Sequence, residues 1–149
     1  MAVTEQSRAL AALTVEREIS ASPDAVYEAF TNPDIGRRWM GPGEVRCLAY
    51  ECDAVVGGRY RIHMRSEQGD HVAFGEYLEL VPGRKLVYTW SWEDGHVENS
   101  RITVRLRPLG AKTQVQISHE LLPDPAAAES HTEGWTGCLV KLQALFQQA

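Results

Sequence analysis

Hydrophobic and polar residues alternate with period two near the start of the chain and again through most of its second half. Leu13, Val15 and Ile19 alternate with polar residues, which predicts a half-buried strand. From Val45 to Leu121 the same period recurs in segments separated by turns rich in glycine, proline and aspartate. Since strands joined by short turns pair antiparallel, we expect a meander of antiparallel strands.

Three segments have helical spacing instead. Ser22-Pro23 and Asn32-Pro33 each place an N-cap residue before a proline at the first helical position, which predicts two short helices after the first strand. Asp124-Pro125 predicts the start of a last helix of roughly 23 residues with one apolar stripe. Gly134 and Gly137 are expected to let this helix approach the sheet closely or bend. The stripe comprises Trp135, Cys138, Leu139, Leu142, Leu145 and Phe146.

These elements predict an α+β fold, in which a curved antiparallel sheet of six to seven strands wraps around a long C-terminal helix. A twisted sheet of that size curls, and a straight helix laid across it does not fill it completely. We therefore expect an internal cavity between the sheet and the helix. Residues 1–11 are polar and unpatterned, which predicts a flexible arm, and residues 12–149 are expected to form a single domain.

Composition narrows the classes of function. The 149 residues carry a formal net charge of -5, so we expect neither a nucleic-acid nor a membrane partner. The chain has neither a signal-peptide pattern nor an apolar run long enough to span a bilayer. Cys47 and Cys52 are expected on opposite strand faces, which argues against shared metal ligation. Three cysteines without CxxC spacing favour structural thiols in a cytoplasmic protein with no metal or cofactor.

The predicted inward face of the sheet is rich in aromatic residues. Its side chains either fill the core or line a ligand site, where indole N–H and phenol O–H groups would orient the ligand. Trp39, on the second short helix, either packs in the core or gates the mouth of the cavity. The other inward candidates are Tyr60, Ile62, Met64, Tyr88, Trp90, Trp92 and Trp135.

Two histidines and one glutamate are candidates for chemistry. His119 is in phase with inward Val115, Ile117 and Leu121, so it is either a satisfied core histidine or a base that faces the ligand. His131 shares the Trp135 face of the last helix and is a candidate neighbour of His119. Glu76 would pair with His119 as acid and base only if it faces inward. The alternative, in which Tyr77 faces inward and Glu76 is exposed, is favoured, and Gly75 is a candidate bulge.

A row of basic side chains is predicted on the outward face of one strand. Contact with phosphate or nucleic acid is one interpretation, but no aromatic side chains interleave with them. A solvated outer face of the sheet is favoured. The row comprises Arg59, Arg61, His63 and Arg65, with Arg105 and Arg107 as an extension.

Several segments match a known pattern: Ser22–Tyr27, Trp39–Gly43, Asp53 with Gly57–Arg61, Gly75–Glu79, Leu86–Trp90 and Glu133–Trp135. As a set, between residues 13 and 147, they resemble the START-like (SRPBCC) helix-grip superfamily, and within it proteins similar to the C-terminal domain of the Hsp-90 ATPase activator. The resemblance implies a helix-grip fold with a central cavity, which in many relatives binds lipids or polyketide-like molecules. Some members are cyclases or aromatases, and some activate chaperones.

The first expectation is therefore a protein that binds a hydrophobic or aromatic small molecule in an internal cavity. The expected ligand-binding residues are Trp39, Tyr60, Ile62, Met64, Tyr88, Trp90, His119, His131 and Trp135. One alternative is a cyclase or aromatase that uses His119 with Glu76, although binding is favoured over catalysis. Another is a chaperone-regulating interaction module, for which the residues supply no independent support. A homodimer formed through apolar residues such as Leu10 is a further expectation.

Overall fold

A computed structural model describes residues 10–147 and contains one seven-stranded sheet and three helices. All sheet neighbours are antiparallel and the strand order is β1-β7-β6-β5-β4-β3-β2. The elements are β1 (Ala11–Ile19), α1 (Pro23–Thr31), α2 (Pro33–Trp39), β2 (Arg46–Cys52), β3 (Arg59–Ser66), β4 (Gly69–Val81), β5 (Lys85–Trp92), β6 (Ser100–Leu109), β7 (Lys112–Leu122) and α3 (Pro125–Gln147).

The three helices begin where their caps predict. The Ser22 hydroxyl accepts from the Ala25 amide at 3.2 Å, and the Asn32 side chain accepts from the Asp34 amide at 2.9 Å. The Asp124 carboxylate accepts from the Ala127 amide at 2.8 Å. Each bond satisfies one of the amide donors that a helix N-terminus leaves free. The predicted helix-grip arrangement of elements is confirmed.

The long helix α3 packs on β1 and β7 at one side of the sheet and on α2 at the other. Gly137 permits the second contact, since a Cβ atom there would lie 2.5 Å from the Pro42 Cβ. Two hydrogen bonds hold the same loop to the helix: the Gly41 amide donates to the Cys138 thiol at 3.4 Å, and Lys141 Nζ donates to the Val45 carbonyl at 3.0 Å. The close approach at Gly137 is therefore to the α2–β2 loop, and not to the sheet as predicted.

An irregularity in β2 overturns one prediction. The register with β3 shifts between Cys47 and Ala49, so the side-chain phase changes inside the strand. Cys47 and Cys52 both pack against the core. The prediction that they point to opposite faces is wrong, because regular alternation across the five-residue interval was assumed.

Regular alternation along β4 places Glu76 on the outer face, because Phe74 and Tyr77 pair with β5 in one register. The register with β5 shifts between Tyr77 and Glu79; Tyr77 is buried and Glu76 is exposed. The favoured assignment of these two residues is confirmed. Gly75 precedes the shift and accommodates the Thr89 carbonyl oxygen, which would lie 2.1 Å from a Cβ atom there.

The end of β7 differs from its predicted phase. Leu121 has a positive φ of 63° and is exposed, whereas Leu122 is buried. The left-handed backbone at Leu121 changes which side chain turns inward, so the inward assignment of Leu121 is wrong.

At the N-terminus, β1 begins at Ala11, within the segment predicted as an arm. Residues 1–9 lie outside the described residues. Leu10 is exposed, and the homodimer stays a prediction. Within residues 10–147, no helix is long and apolar enough to cross a membrane.

Candidate functional site

A cavity of about 760 Å³ lies where α3 leaves β3, β4 and β5 uncovered. Its inner lining comes from α3, from these strands and from the α2–β2 loop, and contains no charged carboxylate or guanidinium group. The inner lining, made of the buried and half-buried residues, comprises Met40, Pro42, Val45, His63, Met64, His71, Val72, Trp90, Trp92, His131, Gly134, Trp135 and Cys138.

Three tryptophans form the largest apolar part of this lining. The ring centroids of Trp90 and Trp135 are 5.2 Å apart with the planes at 63°, and those of Trp90 and Trp92 are 5.4 Å apart at 83°. Edge-to-face contacts of this kind fix ring orientations. The cavity therefore has an ordered aromatic wall with Trp90 at its centre.

His119 fixes one of these rings from behind the cavity. The Trp135 indole N–H donates to His119 Nδ1 at 3.1 Å. Ser100 donates its hydroxyl proton to the Trp90 carbonyl at 2.6 Å, so His119 Nε2, 2.8 Å from that hydroxyl, is the donor of their shared bond. His119 is thus a neutral imidazole with both nitrogens occupied. Burial, followed by the proximity of His131, lowers its pKa to about 3.

His131 fixes a second ring from α3. The Trp92 indole N–H donates to His131 Nε2 at 2.9 Å, and Nδ1 lies 2.7 Å from the Ala127 carbonyl, to which it donates. The pKa of His131 is lowered, chiefly by burial. The centroids of the His119 and His131 rings are 5.1 Å apart, so the predicted neighbourhood of the two histidines is confirmed.

The exposed polar part of the lining, here called the rim, consists of Arg61, Asp70, Glu93, Asp94, His96 and Ser130. Its acidic groups have cationic or imidazole partners. Arg61 pairs with Glu93 at 3.1 Å, and Asp94 with His96. Asp70 accepts from Arg65 and His63, which hold the pKa of its carboxyl at about 2. Each rim carboxylate is thus paired with a basic side chain.

The structure does not assemble the acid–base pair considered for a cyclase. His119 is fully buried on the inner face of the sheet, whereas Glu76 is exposed on the outer face, with its amide bonded to the Thr89 hydroxyl. The hypothesis of a cyclase that uses these two residues is therefore wrong. Within residues 10–147, no group of three or more His, Cys, Asp or Glu side chains is placed to hold a metal ion.

Of the nine side chains predicted to bind ligand, four line the cavity: Met64, Trp90, His131 and Trp135. The other five are buried in the core beside it: Trp39, Tyr60, Ile62, Tyr88 and His119.

Trp39 is one of these five core residues, and its contacts lie within the core. Its indole N–H donates to the Ala29 carbonyl at 3.0 Å, and its ring meets Phe30 at 4.8 Å between centroids. The core-packing interpretation of Trp39 is therefore supported, and the gate interpretation has no contact to support it.

Several lining residues were not expected from the sequence. Met40 and Val45 flank the Gly-Pro-Gly turn, and His96 lies in the β5–β6 loop, where periodicity gives no face assignment. Arg61 and His63 belong to the row predicted as a solvated outer face, yet both contribute to the cavity lining. The five histidines of the chain all lie in the lining or directly behind it, from three strands, a loop and a helix. Only the folded register brings them together.

Comparison with known proteins gives the family. The sequence matches the family "Activator of Hsp90 ATPase homolog 1-like protein" over residues 20–147. The structure is similar to protein CV1439 from Chromobacterium violaceum, with 33% identity, a TM-score of 0.84, and coverage of 91% of this chain and 96% of that one. No curated protein matches the chain significantly.

Two further structures support the same fold. The AHSA1 protein from Silicibacter pomeroyi is 25% identical with a TM-score of 0.80, over 93% of this chain and 99% of that one. CalU16 from Micromonospora echinospora shares the fold at 24% identity and a TM-score of 0.69, over 91% of this chain and 74% of that one. The chain belongs to the family of Activator of Hsp90 ATPase homolog 1-like proteins.

Proposed function

We propose that this protein binds a hydrophobic or aromatic small molecule in the cavity between α3 and strands β3–β5. The observation that carries the proposal is the cavity of about 760 Å³ with its wall of three ordered tryptophans. Its volume lies within the range of roughly 300–1,000 Å³ typical of small-molecule sites. Burial of apolar ligand surface against this wall would supply most of the affinity.

The polar groups of the inner lining support a ligand with one hydrogen-bond acceptor. The indole N–H groups of Trp92 and Trp135 already donate to His131 and His119, respectively. The Trp90 Nε1 is different, since among the described residues it is the one buried side-chain nitrogen or oxygen without a partner. A buried donor without an acceptor is costly. A carbonyl or ether oxygen of a ligand would satisfy it.

The inner lining also supports an uncharged ligand moiety at this depth. The imidazoles of His119 and His131 are held neutral, and no carboxylate or guanidinium enters the inner lining. An ion there would lose hydration without gaining an opposite charge. The charged rim is suited to a polar end of the same ligand at the surface.

Gly134 allows a sharp test of the site. It lies on α3 in the cavity lining, and a Cβ atom added there would meet no atom within 4 Å. We therefore expect the longer side chain of Gly134→Leu to occupy part of the cavity. Gly134→Ala is the matched control, since it makes the same gain in helix propensity and leaves most of the volume free.

The probe is 8-anilinonaphthalene-1-sulfonate, an aromatic molecule that fluoresces when it leaves water. We expect saturable binding of one probe per chain to the wild type and to Gly134→Ala, and at least tenfold weaker binding to Gly134→Leu. Circular dichroism verifies that all three proteins fold. Equal binding to Gly134→Leu, or no saturable binding to the wild type, would overturn the proposal.

A further inference from the structure

A second concave surface lies on the outer face of the sheet, away from the cavity. It has a volume of about 520 Å³ and is here called the basic groove. Four of its eight lining residues are cationic and none is acidic, although the chain as a whole carries a net charge of -5. Its lining comprises Val81, Arg84, Lys85, Arg105, Leu106, Arg107, Gln114 and Gln116.

The strand register places like charges opposite each other in this groove. Lys85 on β5 is the direct cross-strand partner of Arg105 on β6. On its other side Arg105 is paired with Gln116, and Arg107 with Gln114. Like charges directly opposite each other on neighbouring strands destabilise a sheet. The folded protein therefore keeps an unfavourable charge arrangement at this position.

The nearby acidic side chains leave much of this charge unneutralised. Glu79 pairs with Lys85 at 3.2 Å. Glu16 on β1 accepts instead from the amides of Gln114 at 3.1 Å and Gln116 at 2.7 Å. Among the described residues, Arg84 and Arg105 form no salt bridge and no side-chain hydrogen bond.

The remaining cation, Arg107, has only an amide partner. Its guanidinium donates to the Gln114 side-chain oxygen. A neutral amide oxygen does not cancel a positive charge, so this guanidinium also contributes to the potential of the groove.

We infer that the basic groove binds a phosphate-bearing small molecule with at least two negative charges. Guanidinium groups match phosphate oxygens with two parallel hydrogen bonds. Arg105 and Arg107 are about 7 Å apart along the strand, and Lys85 lies about 5 Å across from Arg105. Two linked phosphate groups can therefore contact cations on both strands. Inorganic pyrophosphate and an organic ester of diphosphate share this chemistry.

Arg101 supplies a matched control on the same strand face. It lies four residues before Arg105 on β6 and is also exposed, but its cross-strand partners are Thr89 and Glu120. Its charge is thus opposite an acid, outside the groove lining. Replacing Arg101 or Arg105 by glutamine removes the same charge in two different environments.

The experiment titrates wild type, Arg105→Gln and Arg101→Gln with inorganic pyrophosphate by calorimetry, with sodium chloride matched for ionic strength. We expect one site on wild type and Arg101→Gln, and at least tenfold weaker affinity for Arg105→Gln. Titration with a nucleoside diphosphate separates the two sources: tighter binding than pyrophosphate indicates an organic ester. Equal affinities in all three proteins, or no heat beyond that of sodium chloride, would overturn the inference.

Melting temperatures in a buffer without phosphate or other multivalent anions give an independent test of the inference. We expect Arg105→Gln to melt higher than wild type, since it removes the repulsion with Lys85, and Arg101→Gln not to do so. Pyrophosphate should then raise the melting temperature of wild type and leave that of Arg105→Gln unchanged. A lower melting temperature for Arg105→Gln in that buffer would contradict the charge repulsion on which the inference rests.

Discussion

The Trp135 indole donates its N–H to His119 Nδ1 at 3.1 Å, and this bond joins the cavity wall to the buried core of the sheet. His119 Nε2–H donates to the Ser100 hydroxyl, which in turn donates to the Trp90 carbonyl. Two of the three wall tryptophans are thus held by one chain of hydrogen bonds. The wall depends on a neutral His119, because an imidazolium has no lone pair to accept from Trp135.

The pH dependence of stability follows from this requirement. The pKa of His119 is about 3 in the folded protein, against an ordinary value of 6.5. Between these values the unfolded chain binds more protons, so stability falls as the pH falls below 6.5. The slope from this residue approaches about 1.4 kcal/mol per pH unit. Urea unfolding between pH 7.5 and 4.5 should give a shallower loss for His119→Gln, and parallel losses would contradict the assignment.

Replacing the two tryptophans by phenylalanine should have unequal costs. Trp135→Phe removes a bond and leaves His119 Nδ1 buried without a donor, which costs about 1–3 kcal/mol beyond lost packing. Trp90→Phe removes an N–H that has no partner, so only packing is lost. We expect the free energy of unfolding in urea to be lower for Trp135→Phe. The reverse order would show that the His119 bond adds nothing to stability.

The Trp92–His131 contact predicts a measurable change in a pKa. The Trp92 N–H donates to Nε2 only when that nitrogen is unprotonated, so it favours the neutral form. Trp92→Phe should raise the pKa of His131 towards its ordinary value, as followed by NMR of the imidazole carbon-bound protons. Trp39→Phe is the control, since Trp39 bonds to Ala29. An unchanged titration in Trp92→Phe would refute the proposed contribution of this bond.

The two glycines of α3 should respond oppositely to alanine. At Gly137 a Cβ would approach the Pro42 Cβ to 2.5 Å, whereas at Gly134 it meets nothing within 4 Å. Gly134→Ala should stabilise by up to about 1 kcal/mol through helix propensity. Gly137→Ala should destabilise by about 1–3 kcal/mol, because the α2–β2 loop must shift. Chemical denaturation of both variants measures the difference in the free energy of unfolding. Stabilisation by Gly137→Ala would show that the α2–β2 loop shifts at no energetic cost.

The sequence predicted the elements well because caps and periodicity are local. The prolines at positions 23, 33 and 125 begin the three helices, and the alternation around Tyr60 and Ile62 identified the buried face of β3. His119 was expected inward and is fully buried. The resemblance to helix-grip proteins identified the same arrangement of sheet and helix.

The errors arose where alternation changes phase inside a strand. The shift at Cys47/Ala49 and the positive φ of Leu121 depend on contacts with neighbouring strands, which one segment of sequence does not encode. The site was only partly predicted for a related reason. An inward side chain lines a cavity only if α3 stands away from it, and α3 stands away from β3–β5 but packs closely on β1 and β7.

Native mass spectrometry of freshly purified wild type and Gly134→Leu, each compared with its denatured form, tests the central claim most directly. We predict that wild type carries an additional mass of a few hundred daltons that denaturation releases, and that Gly134→Leu carries none. An identical bound mass on both proteins would place the ligand outside the cavity. A wild type that stays unliganded, and gains no thermal stability from a panel of lipids and aromatic compounds, would contradict small-molecule binding.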